Sequence, residues 1–98
     1  MKHNLISYTT MAGRADENQE LIEAVFRELE AVQPAGISYL ALRLGDGSFV
    51  HFVGSEAGSE SVTRLAAFTA FQRDIRARVV EAPLSRPAAI VGNYRMLR

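Results

Sequence analysis

Two neighbouring segments in the middle of the chain carry apolar side chains on both of the faces that a β-strand would present. In residues 37–44, one set of alternate positions holds Ile37, Tyr39 and Ala41, and the other holds Leu40, Leu42 and Leu44. In residues 48–53, the two sets are Phe49, His51 and Val53 against Val50 and Phe52. A sheet with one face in water shows polar side chains at every second position, because successive side chains point to opposite faces. Both faces of this sheet are therefore expected to be buried.

These two segments and an earlier one are the first three predicted strands. Residues 45–47, Gly-Asp-Gly, separate the two segments, and such a short connection predicts a hairpin between antiparallel strands. Residues 3–10 mix β-branched, aromatic and aliphatic side chains and end before Ala12-Gly13, which is typical of a turn. We expect strand one at residues 3–10, with the two segments as strands two and three.

The first helix is predicted between strands one and two. Its apolar side chains are spaced as one stripe of a 3.6-residue helix: Leu21, Ile22, Val25, Phe26, Leu29 and Val32. Asp16 is expected to cap the first turn, with Gln19 at the reciprocal position of a capping box. Pro34 and Gly36 are expected to end the helix.

A second helix and a fourth strand are predicted in the last third of the chain. The stripe of this helix consists of Val62, Leu65, Phe68, Phe71, Ile75 and Val79. Residues 54–61 before it are small and polar and are expected to form a mobile loop. Pro83 and Pro87 lead into a strand expected at residues 88–96, in which Gly92 is expected to mark a bulge.

The resulting order, β-α-β-β-α-β, predicts an α+β protein with the ferredoxin-like arrangement of a four-stranded antiparallel sheet and two helices on one face. The 98 residues are near the usual size of a single domain, so residues 1–98 are expected to share one core. The helices would leave an apolar patch of several hundred Å² on the other face, which usually marks an interaction surface. A second copy of the chain would cover this face with twofold symmetry, so we expect a homodimer.

Composition excludes several classes of partner and site. Eleven basic and eleven acidic residues cancel, so no general attraction to nucleic acid or to an anionic membrane is expected. The chain has no Cys, which removes disulfides, thiolate nucleophiles and sulfur-based zinc sites and fits a reducing cytoplasm. We expect no metal site, signal peptide or membrane-spanning segment, because the sequence shows no metal-ligand spacing and no apolar stretch of the required length. We expect a cytoplasmic protein without a metal or cofactor.

Several short motifs resemble the antibiotic-biosynthesis-monooxygenase-like branch of the dimeric α/β-barrel superfamily. They are the turn Thr10-Met11-Ala12-Gly13-Arg14 into a Glu-rich helix, the segment Pro34-Ala35-Gly36-Ile37 that opens strand two, and Phe68 and Phe71 on helix two. The resemblance covers nearly the whole chain. It implies that two sheets form a barrel between subunits, with a small-molecule pocket between each sheet and its own helices.

Proteins that resemble one another in this way oxidise aromatic polyketides without a cofactor, degrade haem or have no assigned activity. Haem-degrading members use an axial His on helix two and a nearby Trp, and quinone-forming members rely partly on a Trp. Here the predicted second helix contains no His and the chain contains no Trp. Haem degradation is therefore disfavoured, and a monooxygenase role inherited residue by residue is not supported. The resemblance still implies a protein that binds an aromatic or hydrophobic small molecule, and cofactor-independent monooxygenation is the chemistry that it suggests for such a protein. A non-catalytic binding or structural dimer is the alternative.

Five side chains are candidates for ligand binding, and no catalytic residue is assigned. They are Tyr8, Tyr39, His51, Phe68 and Phe71. Tyrosine hydroxyls from separate strands can orient a polar aromatic ligand, and Tyr94 would supply a third one. A His can move protons near neutral pH. If Val50 and Phe52 faced the helices, however, His51 would lie on the dimer side of the sheet, and both placements stay open.

An RNA-recognition motif has the same order of elements and is a further alternative. Residues 49–52, Phe-Val-His-Phe, fit the second half of its strand-three signature, whose aromatic side chains stack on bases. Residues 45–48 supply neither the basic residue nor the first aromatic of that signature. Without a net positive charge, RNA binding is the least favoured function.

Overall fold

The computed structural model describes residues 1–57 and 64–96, and its strands form one four-stranded antiparallel sheet. The elements follow one another as β1 (Lys2–Thr9), α1 (Ala15–Val32), β2 (Ile37–Arg43), β3 (Ser48–Ser55), α2 (Ala66–Gln72), α3 (Ile75–Arg78) and β4 (Leu84–Ala88). The strand order β2-β3-β1-β4 confirms the predicted ferredoxin-like arrangement, and the helices pack on one face. None of the described helices is long and apolar enough to span a membrane.

The predicted hairpin between β2 and β3 is confirmed. Leu44 donates its backbone N–H to the carbonyl of Ser48 over 2.9 Å, which closes the connection at residues 45–47. Gly47 has a φ of 85°, a left-handed conformation that residues with a Cβ rarely adopt. Its carbonyl accepts hydrogen bonds from the backbone and the hydroxyl of Thr10, at 3.0 and 2.8 Å. These bonds join the hairpin turn to the residue that follows β1.

The register of the sheet decides which side chains face the helices. His51 on β3 lies opposite Ile6 on β1 and Ala41 on β2, and this row packs toward the helices. The placement of His51 on the dimer side of the sheet, which the sequence left open, is therefore wrong. Both faces of β3 are apolar in sequence. Phe49, on the same face as His51, stacks on Tyr8 in the core with ring centroids 5.7 Å apart, so this is the face that packs against the helices.

The opposite face of the sheet is apolar, as expected, and no described helix packs on it. Phe52 at its centre lies between Leu5 on β1 and Leu40 on β2. The ring of Phe52 also stacks on His3, with centroids 5.1 Å apart. Exposed large apolar side chains on or beside this face include Leu42, Leu44 and Leu84, and exposed Met1 and Ile90 line a cavity there with Phe52. We call this surface the outer face.

α1 begins at Ala15, one residue before the predicted cap. Arg14 occupies the cap position and makes no side-chain cap hydrogen bond. The prediction that Asp16 caps the helix is wrong, because Asp16 lies inside the first turn and accepts a hydrogen bond of 2.9 Å from Arg43. Gln19 accepts a second bond from the same guanidinium, at 2.7 Å, so no capping box forms.

The predicted second helix is interrupted. Asp74 adopts a left-handed conformation with a φ of 60°, so α2 ends at Gln72 and α3 begins at Ile75. The predicted stripe is nevertheless buried on both sides of the break, at Leu65, Phe68, Phe71 and Val79. Val62 lies outside the described residues. A periodic pattern indicates which face of a helix is buried. It does not reveal a break in the helix when the same face stays buried on both sides of the break.

β4 lies earlier than predicted, at Leu84–Ala88 instead of residues 88–96. It is an edge strand, and Pro87 is tolerated there because one side of an edge strand needs no N–H donors. None of the described residues that follow belongs to a strand, and Val91 is 100% exposed. Gly92 therefore lies outside the sheet and marks no bulge.

The segment predicted as a mobile loop, residues 54–61, begins as part of the sheet. β3 continues through Ser55, which pairs with Ile37 at the start of β2. Glu56 then donates its backbone N–H to the carbonyl of Gly36 over 2.9 Å. Small residues did not prevent strand pairing here, because the neighbouring strand extends alongside them. Residues 58–61 lie outside the described residues.

Candidate functional site

A cavity of about 220 Å³ lies between the sheet and helices α2 and α3. Its walls include apolar side chains from each side, among them Ile6 on β1, Val53 on β3 and Ile75 on α3. All five residues predicted for ligand binding line it: Tyr8, Tyr39, His51, Phe68 and Phe71. Tyr94 does not, because it lies beyond β4 and is 80% exposed. The prediction of a third tyrosine in the pocket is therefore wrong.

Aromatic rings form much of the cavity wall. The Phe71 ring lies 6.0 Å from the Phe68 ring, 6.4 Å from the Tyr8 ring and 5.5 Å from the His51 ring, measured between centroids. All three pairs are tilted, which is a favourable arrangement for rings with an electron-rich face and a positive edge. The wall therefore offers ring faces and edges to a planar apolar ligand.

His51 is the centre of the site, and both of its ring nitrogens are hydrogen-bonded. Its Nε2 lies 2.8 Å from the Tyr8 hydroxyl, and its Nδ1 lies 2.6 Å from the Tyr39 hydroxyl. His51 is opposite Ile6 on β1 and Ala41 on β2, so each tyrosine, two residues along its strand, is a diagonal neighbour on the same face. The register of the sheet is what brings the three polar groups together.

Asn18 on α1 extends this network into the core, and sequence reasoning did not identify it. The side chain is 0% exposed, and its Nδ2 donates to the Tyr8 hydroxyl over 2.9 Å. The position of Asn18 in the sequence does indicate a buried polar residue. Asn18 lies four residues before Ile22 and seven before Val25, and this spacing places a polar residue on the apolar stripe of the helix.

Arg78 at the end of α3 completes the network and was also missed as a site residue. It is 2% exposed, and its Nε donates to the Asn18 side-chain oxygen over 3.2 Å. Its Nη1 and Nη2 donate to the backbone carbonyls of Arg73 and Phe71 at the end of α2, where a cation complements the helix dipole. Arg78 lies seven residues after Phe71, on the buried stripe, whereas Arg73 and Arg76 are exposed.

Burial keeps the three polar groups around the cavity uncharged at neutral pH. It lowers the pKa of His51 to about 4. It raises the pKa of Tyr8 to about 12, although the Asn18 hydrogen bond and the Arg78 charge act in the opposite direction. Burial and the neighbouring Tyr8 also raise the pKa of Tyr39. The positive charge of the network therefore belongs to Arg78.

This arrangement limits the chemistry that the site can perform. A neutral imidazole with both nitrogens hydrogen-bonded connects two phenols and is not a free general base. Within residues 1–57 and 64–96, no three His, Asp or Glu side chains are grouped to hold a metal ion. What the site offers a ligand is an apolar, aromatic cavity with phenol hydroxyls at its wall.

No family model matches the chain. No curated protein matches it either.

Solved structures with the same fold are found at low sequence identity. A Nitrosomonas europaea protein whose name places it among the antibiotic biosynthesis monooxygenases matches with a TM-score of 0.75 at 7% identity. The match covers 92% of this chain and 89% of that chain. A structure described as an antibiotic biosynthesis monooxygenase has a TM-score of 0.69 at 13% identity, over 94% and 100%. A protein of Pseudomonas aeruginosa has a TM-score of 0.71 at 16% identity, over 93% and 95%. The chain thus has the ferredoxin-like fold of the antibiotic-biosynthesis-monooxygenase-like proteins.

Proposed function

We propose that the chain binds an aromatic or hydrophobic small molecule in the cavity between the sheet and α2–α3. The observation that carries this proposal is the cavity itself, in which apolar walls surround the hydrogen-bonded group of Tyr8, His51 and Tyr39. Binding sites for small molecules combine predominantly apolar walls with a few placed polar groups. An engineered apolar cavity of about 150 Å³ binds benzene, so this cavity suits a ligand of one or two rings.

The chemistry that we propose is cofactor-independent monooxygenation, which the names of the structural neighbours support. Without a cofactor, the substrate itself must supply the four electrons that reduce O2. A CH2 carbon that becomes C=O supplies all four, because one oxygen atom stays on carbon and the other leaves as water with the two hydrogens. A phenol meets this condition through its keto tautomer. 1-Naphthol and O2, for example, would give 1,4-naphthoquinone and water.

The site contributes to such a reaction by binding and by stabilising charge. A phenol reacts with O2 as its anion, whose proton passes to solvent and is recovered in the water that is formed. A hydrogen bond from a cavity hydroxyl to the substrate oxygen would favour that anion. Tyr39 supplies this hydroxyl, since the Tyr8 hydroxyl is bonded to Asn18 as well as His51, whereas the Tyr39 hydroxyl is bonded to His51. His51 would hold Tyr39 in place.

The test uses 1-naphthol with the unmodified protein in buffer freed of metals and flavins. Perturbed NMR signals of Phe68 and His51 report binding, and an oxygen electrode with quinone absorbance reports turnover. Ser85 is exposed and lines the cavity, so Ser85→Trp should narrow its opening and abolish binding. Arg76→Trp, on the exposed side of α3, is the matched control and should bind normally.

The outcomes separate the two parts of the proposal. Binding with oxygen uptake supports the monooxygenase. Binding without uptake would reject the monooxygenase and leave the non-catalytic binding protein. Absence of binding by the unmodified protein would reject both.

We further propose that the outer face pairs with a second copy of the chain. The apolar row through Phe52, with exposed Leu42 and Leu84, needs a cover, and the paired positions of this face include one charged residue, Arg86. An identical face supplies a matching apolar surface by twofold symmetry. This arrangement is also what the family resemblance implies.

RNA binding has no support from the placement of the aromatic residues. Phe49 and His51, which the RNA-recognition signature would present to bases, are buried against the helices. A buried ring cannot stack on a base. On the outer face, Phe52 is already stacked on His3.

A further inference from the structure

In the hydrogen-bond network around His51, the donor and the acceptor of each bond can be assigned in turn, beginning at Arg78. A guanidinium only donates hydrogen bonds, so the atom of Asn18 that faces the Arg78 Nε must be the side-chain oxygen. The amide NH2 of Asn18 therefore faces Tyr8 and donates to its hydroxyl oxygen over 2.9 Å. The orientation of one amide is thus fixed by a charge on another helix.

The next steps follow from counting protons. The Tyr8 oxygen accepts from Asn18, and the remaining partner of its own proton is His51 Nε2, at 2.8 Å. A neutral imidazole carries one N–H. Since Nε2 accepts, the proton of His51 resides on Nδ1, which donates to the Tyr39 oxygen over 2.6 Å. The proton of Tyr39 has no further acceptor in the described part of the chain, and Tyr39 lines the cavity.

The reversed direction is unfavourable for a physical reason. If His51 Nε2 carried the proton, both it and Asn18 would donate to the Tyr8 oxygen. The proton of Tyr8 itself would then lack an acceptor at a buried position among the described residues. A buried donor without a partner is costly, so the forward direction is favoured.

We propose that Arg78 and Asn18 are positioning residues that fix His51 as its Nδ1–H tautomer and leave the Tyr39 O–H as the donor that selects a ligand with a hydrogen-bond acceptor. The part that concerns the ligand rests on the proposed function. The tautomer does not, because it follows from contacts within the protein. The preferred ligand is an apolar, aromatic molecule with a carbonyl, phenolate or similar acceptor oxygen at one end.

The tautomer is measured directly by long-range ¹H–¹⁵N NMR correlation of the His51 ring in the unmodified protein. The expected spectrum shows the proton on Nδ1, and a proton on Nε2 would overturn the proposal. Asn18→Asp gives a second, sharper measurement. A carboxylate only accepts, so the Tyr8 proton should turn toward residue 18, and the His51 proton should move to Nε2.

The matched control is Asn4→Asp. Asn4 lines the same cavity on β1 and is exposed, so the same chemical change is made there without touching Tyr8. We expect the tautomer to stay Nδ1–H in this variant. An unchanged tautomer in folded Asn18→Asp, or an inverted one in Asn4→Asp, would contradict the proposed role of Asn18.

Ligand selection is tested with acetophenone and α-methylstyrene, which have nearly the same shape and differ in that acetophenone carries an acceptor oxygen. The unmodified protein should bind acetophenone about tenfold more tightly, the magnitude of one well-formed hydrogen bond. Tyr39→Phe should lose this discrimination. Asn18→Asp should lose it as well, because the Tyr39 proton then turns to His51.

The results of the two tests are separable. Equal binding of the two compounds by the unmodified protein would overturn ligand selection while leaving the binding function intact. Failure of both compounds to bind would overturn ligand selection together with the binding function. In that case the NMR measurement would still decide whether His51 carries its proton on Nδ1 and whether Asn18 sets that tautomer.

Discussion

Arg78 and Asn18 lie 60 positions apart in the sequence, and their buried side chains meet through a hydrogen bond of 3.2 Å. The bond connects the end of α3 to the first turns of α1 beneath the sheet. It also joins the backbone at the end of α2 to the tyrosine and histidine at the cavity wall. Stability and the geometry of the site therefore depend on the same pair.

Arg78→Met should lower the free energy of unfolding by about 3 kcal/mol, because three acceptors lose a charged donor and two of these bonds are buried. Urea unfolding at pH 7 measures the change. Arg76→Met, on the exposed side of the same helix, should change stability by less than about 0.5 kcal/mol. Equal effects of the two substitutions would show that the buried contacts of Arg78 contribute little.

Stability should fall as the pH is lowered from about 6.5 to about 4 through the titration of His51. Its pKa is lowered from 6.5 to about 4 by burial, so in this interval the unfolded chain binds a proton that the folded chain does not. The contribution is fully present above pH 6.5 and is lost as the pH approaches 4. At about 1.4 kcal/mol per pKa unit, the loss is about 3 kcal/mol.

Carboxyl groups also titrate in this interval, so the measurement is a difference. The free energy of unfolding at pH 7.5 and pH 4.5 is compared between the unmodified protein and His51→Gln. The variant should show the smaller pH dependence. A variant with the same pH dependence would indicate that His51 takes up its proton equally well in the folded and unfolded chains.

Tyr8→Phe should destabilise the protein more than Tyr39→Phe. Loss of the Tyr8 hydroxyl leaves both Asn18 Nδ2 and His51 Nε2 without a partner in the core, which costs about 1–3 kcal/mol. Loss of the Tyr39 hydroxyl leaves one atom, His51 Nδ1, without its partner. Tyr94→Phe, at an exposed tyrosine, is the control and should leave the thermal midpoint unchanged. The reverse order of Tyr8 and Tyr39 would contradict this account.

Glu28→Ala should loosen the start of α2. The Glu28 carboxylate on α1 accepts hydrogen bonds from the backbone N–H groups of Ala66 and Ala67, at 3.1 and 2.9 Å. Loss of such a cap costs about 1 kcal/mol and should speed hydrogen exchange of the α2 amides about fivefold. Glu30→Ala, an exposed position two residues further along α1, should leave that exchange unchanged. Unaltered exchange in Glu28→Ala would mean that α2 is held by its packing alone.

Leu42→Glu should separate the proposed dimer into monomers. A carboxylate within the paired apolar surface would weaken association by about 100-fold or more, because it is desolvated without a partner. Sedimentation velocity at micromolar concentration measures the change. Val32→Glu, which replaces an exposed apolar residue on α1, is the control and should remain a dimer. A monomer in the unmodified protein would reject the pairing itself.

The sequence predicted those parts of the fold that depend on periodic burial. The stripes through Val25 and Phe71 and the hairpin at residues 45–47 were all found. The position of β4 was not predicted. Pro83 and Pro87 favour a start of the strand after them, whereas an edge strand can contain a proline such as Pro87. The break at Asp74 was also missed, since the buried face continues across it.

The sequence predicted several residues of the candidate site but not the hydrogen bonds that join them. Tyr8, Tyr39 and His51 were expected near a pocket, yet their mutual contacts depend on the register between three strands, which composition alone does not fix. Asn18 and Arg78 were detectable as polar residues on apolar stripes. A search for that mismatch would have pointed to the buried half of the network.

Pro87 has a consequence for how copies of this chain can meet. β4 is five residues long and forms one edge of the sheet, and a proline has no N–H to offer an added strand. A chain that tried to lengthen the sheet at this edge would find an interrupted ladder. Edge-to-edge growth at β4 is thereby discouraged, whereas the proposed pairing through sheet faces closes after two copies.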